Sequence, residues 1–422
     1  MPLSCRAARL PAGRGTRRIM NVRRSAAALA AAVALGTAAA PAALADEASP
    51  SPSGALPSGL YGKTDPKFDG VFRQSYALLA QDATGVTPAA KAVDWLTGQQ
   101  CASGGFAAYR ADADVPCDSK AQVDSNSTAA AVQALAALGG EKKAVDKGVA
   151  WLKSVQNQDG GWGYTPGLPS DANSTGIVIG ALAAAGEKPA AAKSQKGRTP
   201  LDALTKLAMD CGKDGGAFGL ADAKSGKLAP NADATAAGVL GGLGKGLVVS
   251  APKKDAAAPK CVKAASADQA AANGTGYLID ALGKSGHLTS SLPGSTDKPD
   301  VGNTADAVVA LAAAGQGEQA QKSARWLADN SADWAKQGGP AAYAQLVFAA
   351  HAAGLDPRDF GGADLVKQLN ATGPAPRAQA ADEEKDKDDD GSGVSVWWIV
   401  GVGLAAGAGI GFLLSGRKKN QP

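Results

Sequence analysis

The sequence predicts an all-α body, an α/α toroid in which about six inner helices are ringed by about six outer ones, followed by one C-terminal transmembrane helix. Three observations carry this. A glycine turn recurs at roughly 40–60-residue spacing, which marks a repeat architecture. Its copies are Gln100-Cys101-Ala102-Ser103-Gly104-Gly105-Phe106, Gln156-Asn157-Gln158-Asp159-Gly160-Gly161-Trp162-Gly163, and the degenerate Asp214-Gly215-Gly216-Ala217-Phe218-Gly219. Two kinds of helical segment alternate between the copies. The apolar kind opens each time on a short polar signal.

The apolar segments are Gly70 to Ala80, Ser127 to Leu138, Thr175 to Ala185, Ala234 to Leu243, Thr304 to Ala314 and Ala341 to Ala353. The amphipathic ones are Ala89 to Gln99, Lys142 to Gln156, Leu201 to Met209, Ala267 to Leu282, Gln319 to Trp334 and Ala363 to Leu369. A helix apolar all round belongs inside, whereas one with a polar face belongs outside. The inner set is too apolar for the open groove of a superhelical repeat protein, so a closed ring is preferred. In the turns, glycine supplies positive φ and the aromatic supplies buried area that alanine and glycine cannot. Trp95, Trp151 and Trp326, each before Leu, read as wedges between repeats. Phe106, Trp162 and Tyr164 stand nearer the mouth of the ring, where packing is again the favoured role.

The inner helices start on Asp124-Ser125-Asn126-Ser127-Thr128, Asp171-Ala172-Asn173-Ser174-Thr175, Asn231-Ala232-Asp233-Ala234-Thr235 and Asp300-Val301-Gly302-Asn303-Thr304. Such residues accept hydrogen bonds from the free N–H groups of a first turn, so N-capping explains them. If the inner helices run parallel, their starts also gather at one mouth, where polar groups and positive dipole ends could hold a ligand. The candidate ligand-binding residues are therefore Asp124, Asn126, Asp171, Asn173, Asp233 and Asn303.

Addressing signals bracket this body. The 422-residue chain is 45% hydrophobic and 5% aromatic with a net charge of +4, much of it terminal, so no nucleic-acid partner follows. Residues 1–45 form a secretory signal peptide, with Arg17, Arg18, Arg23 and Arg24 before an apolar run that ends in Ala43-Leu44-Ala45. Met20 is an alternative start to Met1. A Pro/Ser-rich linker spans 46–60, the toroid 61–373 and a charged, solvated stalk 374–393. Residues 394–415 are uncharged and suit one transmembrane helix; Arg417-Lys418-Lys419 in the tail 416–422 places the C-terminus in the cytoplasm of a bacterial cell and the toroid outside. With Cys5 removed, Cys101, Cys117, Cys211 and Cys261 face an oxidising compartment. Three pairings exist; Cys101–Cys117 with Cys211–Cys261 closes a local loop beside a turn each time.

Gln156, Gly160 and Trp162 match the Q-x-x-x-G-x-W repeat, and Gln100, Gly104 and Phe106 match it with an aromatic exchange. On these residues the chain resembles the prenyltransferase and squalene oxidase (QW) repeat proteins of the terpenoid cyclase and protein prenyltransferase superfamily. The resemblance implies an α6/α6 toroid and a structural role for the repeat residues. It does not imply catalysis. The Asp-x-Asp-Asp of the cyclases occurs only as Asp386-Lys387-Asp388-Asp389 in the stalk, where a solvated acidic run cannot protonate an alkene. Asp112-Ala113-Asp114 lacks the last carboxylate. The zinc set of the prenyltransferases needs Asp, Cys and a partner histidine, yet only His287 and His351 exist and the cysteines are expected to be oxidised. Gly315-Gln316-Gly317-Glu318-Gln319 has Gln where a thioester domain has its reactive Cys. Asp112, Asp114, Asp118 and Asp124 could surround calcium, although a solvated loop is the plainer reading.

No metal or cofactor is therefore expected. The function expected is non-catalytic: binding of a small apolar or amphipathic ligand, isoprenoid or corrinoid, or of an envelope partner protein, at the cell surface. The alternatives are a cyclase-like enzyme with Asp233 and Asp306 as acid and base, and a structural envelope scaffold.

Overall fold

The computed structural model describes residues 56–117, 121–212, 215–222, 225–290 and 298–378. The expected signal peptide, membrane span and tail, and most of the stalk, lie outside them. Among the described residues no helix is long and apolar enough to cross a membrane.

The described chain is mostly helical. Its helices are α1 (Gly70–Ala83), α2 (Ala90–Gly98), α3 (Ser125–Leu138), α4 (Lys142–Ser154), α5 (Ala172–Ala184), α6 (Pro200–Leu207), α7 (Ala232–Gly242), α8 (Ala267–Leu282), α9 (Val301–Ala313), α10 (Gly317–Asn330), α11 (Ala332–Ala352) and α12 (Leu365–Asn370). The odd-numbered helices touch in the cyclic order α1, α3, α5, α7, α9, α11 and back to α1, each of them also packing against an even-numbered helix. Small residues permit this closeness: a Cβ on Gly176 of α5 would lie 2.3 Å from the Ala237 carbonyl of α7. The ring is closed by its two ends. Gly62 N–H donates to Thr372 O at 2.9 Å, the Tyr61 hydroxyl to Pro374 O at 3.0 Å, and Gln81 Nε2 to Asn370 Oδ1 at 2.7 Å.

Each recurring signal has a double structural use. Asp124, Asp171, Asn231 and Asp300 accept from the backbone N–H three residues on and cap α3, α5, α7 and α9. The threonine four residues beyond each cap accepts a backbone N–H from the preceding loop: Thr128 from Phe106, Thr175 from Trp162, Thr235 from Phe218 and Thr304 from Leu288, at 2.9–3.1 Å. The repeat glutamines tie neighbouring units together. Gln156 Nε2 donates to Gly160 O at 2.7 Å and Ala192 O at 3.3 Å, and Gln100 Nε2 to Gly104 O and Ala144 O at 2.8 Å each. Trp162 is 1% exposed and donates its indole N–H to Leu152 O at 2.7 Å; Phe106 is fully buried. Both are packing residues.

Two features depart from expectation. Among the described residues, three two-stranded pairs, too short to read from alternation, lie between outer and inner helices: β1 (Phe106–Ala107) with β2 (Val123–Asp124), β3 (Gly219–Ala221) with β4 (Leu228–Pro230), and β5 (Leu288–Thr289) with β6 (Pro299–Asp300). The outer helix expected to reach Trp334 ends at Asn330, and Ala332 begins a segment that kinks at Gly339 (φ 65°) into the inner part of α11. Pro340 lacks the N–H for a continuous helix and bars α geometry from the residue before it, so only glycine takes that corner easily. Disulfides join Cys101 to Cys117 and Cys211 to Cys261.

Candidate functional site

A cavity of about 170 Å³ lies at the centre of the ring, and all six inner helices contribute to its wall. Most of the wall is apolar, including Phe72 and Tyr76 of α1, Ile177 of α5, Leu240 of α7, Val309 of α9 and Phe348 of α11. The α7–α8 loop closes one side with Gly246 and Leu247. Gln133 of α3 pins it, accepting from Leu247 N–H at 3.0 Å while donating to Ile177 O at 3.2 Å.

Polarity is concentrated on Asp233 of α7 and Asp306 of α9. Asp233 Oδ2 accepts from Asn173 Nδ2 at 2.7 Å. Asp306 accepts from Gln345 Nε2 at 3.1 and 3.2 Å. Burial pushes the Asp306 carboxyl up to about 7, with the Asp233 charge adding to it and the Gln345 hydrogen bond opposing it. Burial likewise raises Asp233, which the Asn173 hydrogen bond opposes and the charges of Asp171 and Asp300 reinforce. Tyr76 is held well above the ordinary phenol value, first by burial and then by these two aspartates. The site thus offers a pair of interacting carboxyls, both biased toward the proton, inside an apolar wall.

Asp233 also belongs to a second cavity of about 160 Å³, shared with Asn231, Tyr277, Asp300 and Asn303. It is the residue common to the mouth beside α7 and α9 and to the central cavity.

The six sequence candidates do not form one ring. Asn173 and Asp233 meet directly in the central cavity. Asn303 reaches the adjoining one but donates its amide to Asp300 Oδ2 at 2.8 Å. Asp171 spends one oxygen on Ser174 N–H at 2.7 Å and the other on Ser174 Oγ at 2.9 Å, so it is a cap. Asp124 caps α3 with one oxygen; its other oxygen and Asn126 Oδ1 are buried without a partner. Burial raises Asp124 to about 6. It lies in a separate depression with Phe68, Tyr109 and Tyr164. Among the described residues no group of three acidic, cysteine or histidine side chains could hold a metal ion; Asp118 of the suggested calcium set lies outside them. The histidines line none of these cavities: His287 packs on Trp326 at 4.3 Å between ring centroids. The sequence candidates omitted Gln345, Tyr76 and Phe348, which sit mid-helix with no capping pattern to single them out. Their signal was placement on an inner helix at all, where a polar or bulky side chain has few neighbours except the ring axis.

No family model matches the chain, and no curated protein matches it. Among solved structures, a protein from Actinoplanes is similar at 15% identity and a TM-score of 0.44, over 70% of this chain and 94% of that one. A likeness at that level carries no argument about function.

Proposed function

We propose that the ring is an α/α toroid of the QW-repeat kind that holds one small amphipathic molecule in its central cavity, outside the cytoplasm. The observation that carries the reading is a mostly apolar wall into which two carboxyls, Asp233 and Asp306, are set, with Gln133, Asn173, Lys245 and Gln345 as its other polar side chains. Ligand pockets combine these features: apolar surface for affinity and a few placed polar groups for orientation. Two disulfides support an oxidising compartment. The signal peptide, stalk and membrane span expected from the sequence would display the ring on the cell surface. The volume narrows the ligand. A cavity of about 150 Å³ accommodates benzene, so a single ring or a short branched chain suits about 170 Å³. A corrinoid is several times too large to enter, and an isoprenoid would fit only as one or two units.

Native mass spectrometry of the mature protein from its producing organism tests this. A retained mass that disappears on denaturation is expected. It should also disappear in Ala237→Leu, which extends an isobutyl group from the cavity wall. A bare polypeptide mass in the wild type, together with failure of any small apolar probe to bind, would move the ring to a scaffold role.

A second reading is favoured by one observation, the Asp306 carboxyl at about 7 beside a second carboxyl. A carboxyl raised by burial beside a second carboxyl is a candidate general acid or base. That reading requires turnover lost in Asp306→Asn, whereas binding alone requires only occupancy.

A further inference from the structure

We propose that the occupant of the central cavity is a small organic ammonium ion, a quaternary or methylated amine of about the size of choline, its cationic head set against Phe72, Tyr76 and Phe348 and the carboxyls of Asp233 and Asp306. The proposal rests on the reading of the cavity as a small-molecule site and names the class of molecule.

The first argument is aromatic. Phe72 and Tyr76 have ring centroids 4.3 Å apart with planes tilted by 32°, and Tyr76 meets Phe348 edge-on at 5.5 Å and 68°. All three line the cavity. Ring faces carry negative electrostatic potential, and converging aromatics are a recurring means of holding methylated ammonium groups, which bring no N–H donors and need none. With only 5% aromatic residues in the chain, three rings against one void are a concentrated resource.

The second argument is charge. The cavity's ionisable acceptors, Asp233 and Asp306, already take the amide hydrogens of Asn173 and Gln345, and those amides hold them in place. An anion entering here would meet like charge. A pure hydrocarbon would dehydrate two carboxyls without compensation, which is costly. A cation that shows hydrocarbon on its outside satisfies both parts of the wall. The protein does not supply that cation itself: Lys245 lines the cavity but is exposed, and among the described residues neither Asp233 nor Asp306 has an ion-pair partner.

The third argument is size and access. Choline has about seven non-hydrogen atoms, comparable to the benzene that fills a cavity of about 150 Å³. Asp233 lines both the central cavity and the neighbouring one, where Asp300 adds a further carboxyl close by.

The test is isothermal titration calorimetry on the full chain in detergent at pH 8, with choline and its uncharged isostere 3,3-dimethylbutan-1-ol. The expected result is choline binding at least about ten-fold tighter than the isostere. Asp306→Asn and Asp233→Asn should each weaken choline at least about ten-fold while the isostere binds as well as to wild type or better, because an amide costs less to dehydrate than a carboxylate. Phe348→Leu, which keeps apolar volume, should cut the choline preference about five-fold; near-ultraviolet circular dichroism confirms that the variants are folded. If the isostere binds as well as choline, the ammonium assignment is overturned and the cavity reading stands. Should neither bind, the ammonium assignment is overturned, and the cavity reading falls with it only if the native mass is also that of the bare polypeptide. A choline preference that survives loss of both carboxylates would place the site elsewhere and overturn the assignment.

Discussion

The turn around Gly160 and the carboxyl pair at Asp233 and Asp306 are both polar features set into an alanine-rich ring, yet they use polarity in opposite ways. In the turn each named donor finds a backbone or side-chain acceptor within the fold: Gln156 to Gly160 O and Ala192 O, Trp162 N–H to Thr175, the indole to Leu152 O. In the cavity, two carboxyls receive one amide each and otherwise face a void. A polar group fully satisfied by its own chain contributes to folding, whereas an acceptor left facing space incurs a cost and waits for something outside the chain. Substitutions in the turn should therefore cost stability. Those in the cavity should return some of it and remove binding.

The largest effect expected is at Gly160. Its φ is 98°, and a Cβ there would lie 2.1 Å from the Thr199 carbonyl. Gly160→Ala combines a backbone penalty with overpacking against backbone that cannot yield, a loss of about 4 kcal/mol or more. Gly167 has a φ of 87° but no atom within 4 Å of the same Cβ, so Gly167→Ala should cost about 1 kcal/mol. Urea unfolding of the two variants checks the contrast. Equal losses would show that the close approach in the turn is unimportant.

Next comes the cavity, with its sign reversed. The folded protein holds the Asp306 proton up to about 7, against 3.8 for an ordinary aspartate. The stability linked to this group is fully present below about pH 4 and is lost as the pH rises through 7. The shift corresponds to at most about 4 kcal/mol. Asp233, Asp171 and Asp124 are raised too and act in the same direction. The ligand-free melting temperature should thus fall by about 5 °C or more between pH 5 and pH 8. Asp306→Asn should flatten that slope and melt higher than wild type at pH 8. A wild-type profile flat over this range would sink the assignment of a raised carboxyl.

Returning to the turn, Thr175→Val keeps the shape of the side chain but removes the acceptor for the buried Trp162 N–H. A loss of about 2–3 kcal/mol is expected, since an isostere that strands a buried donor is not neutral. The same substitution at Thr128 or Thr235 should cost a similar amount, because those threonines hold the equivalent N–H groups of Phe106 and Phe218.

How much of this was legible follows from the same contrast. Helix order was readable because capping residues, glycine turns and apolar runs act locally, within a few positions of the residue that carries them. The polar starts identified caps at Asp124 and Asp171 for that reason. Those two residues did not become a shared binding ring because Asp171 spends both oxygens on Ser174, and Asp124 borders a separate depression with its second oxygen buried. The cavity was not legible in this way. Gln345 and Asp306 stand 39 residues apart, and their meeting depends on α11 packing beside α9, which no local pattern announces. Tyr76 and Phe348 face each other only because α1 and α11 are neighbours across the two ends of the chain. The kink at Gly339 was written plainly in the Gly339-Pro340 pair, yet a helix start at Ala341 was the easier reading.

Asn173 lies at the boundary between the two regimes, and it carries the smallest effect. It is the second residue of α5, two positions after the cap Asp171, so its place in sequence is structural. Its side chain nevertheless leaves its own helix and donates to Asp233 of α7 at 2.7 Å. That bond is strongest when Asp233 is ionised, because hydrogen bonds to a charged acceptor are worth roughly twice those between neutral groups. Asn173→Ala should cost about 1.5 kcal/mol at pH 8, and less at pH 5, where Asp233 more often holds its own proton. An amide that served its own helix alone would show no such pH dependence, so denaturant unfolding at the two pH values decides which regime Asn173 belongs to. A loss that is the same at both would return it to the scaffold and leave Asp233 held by packing alone.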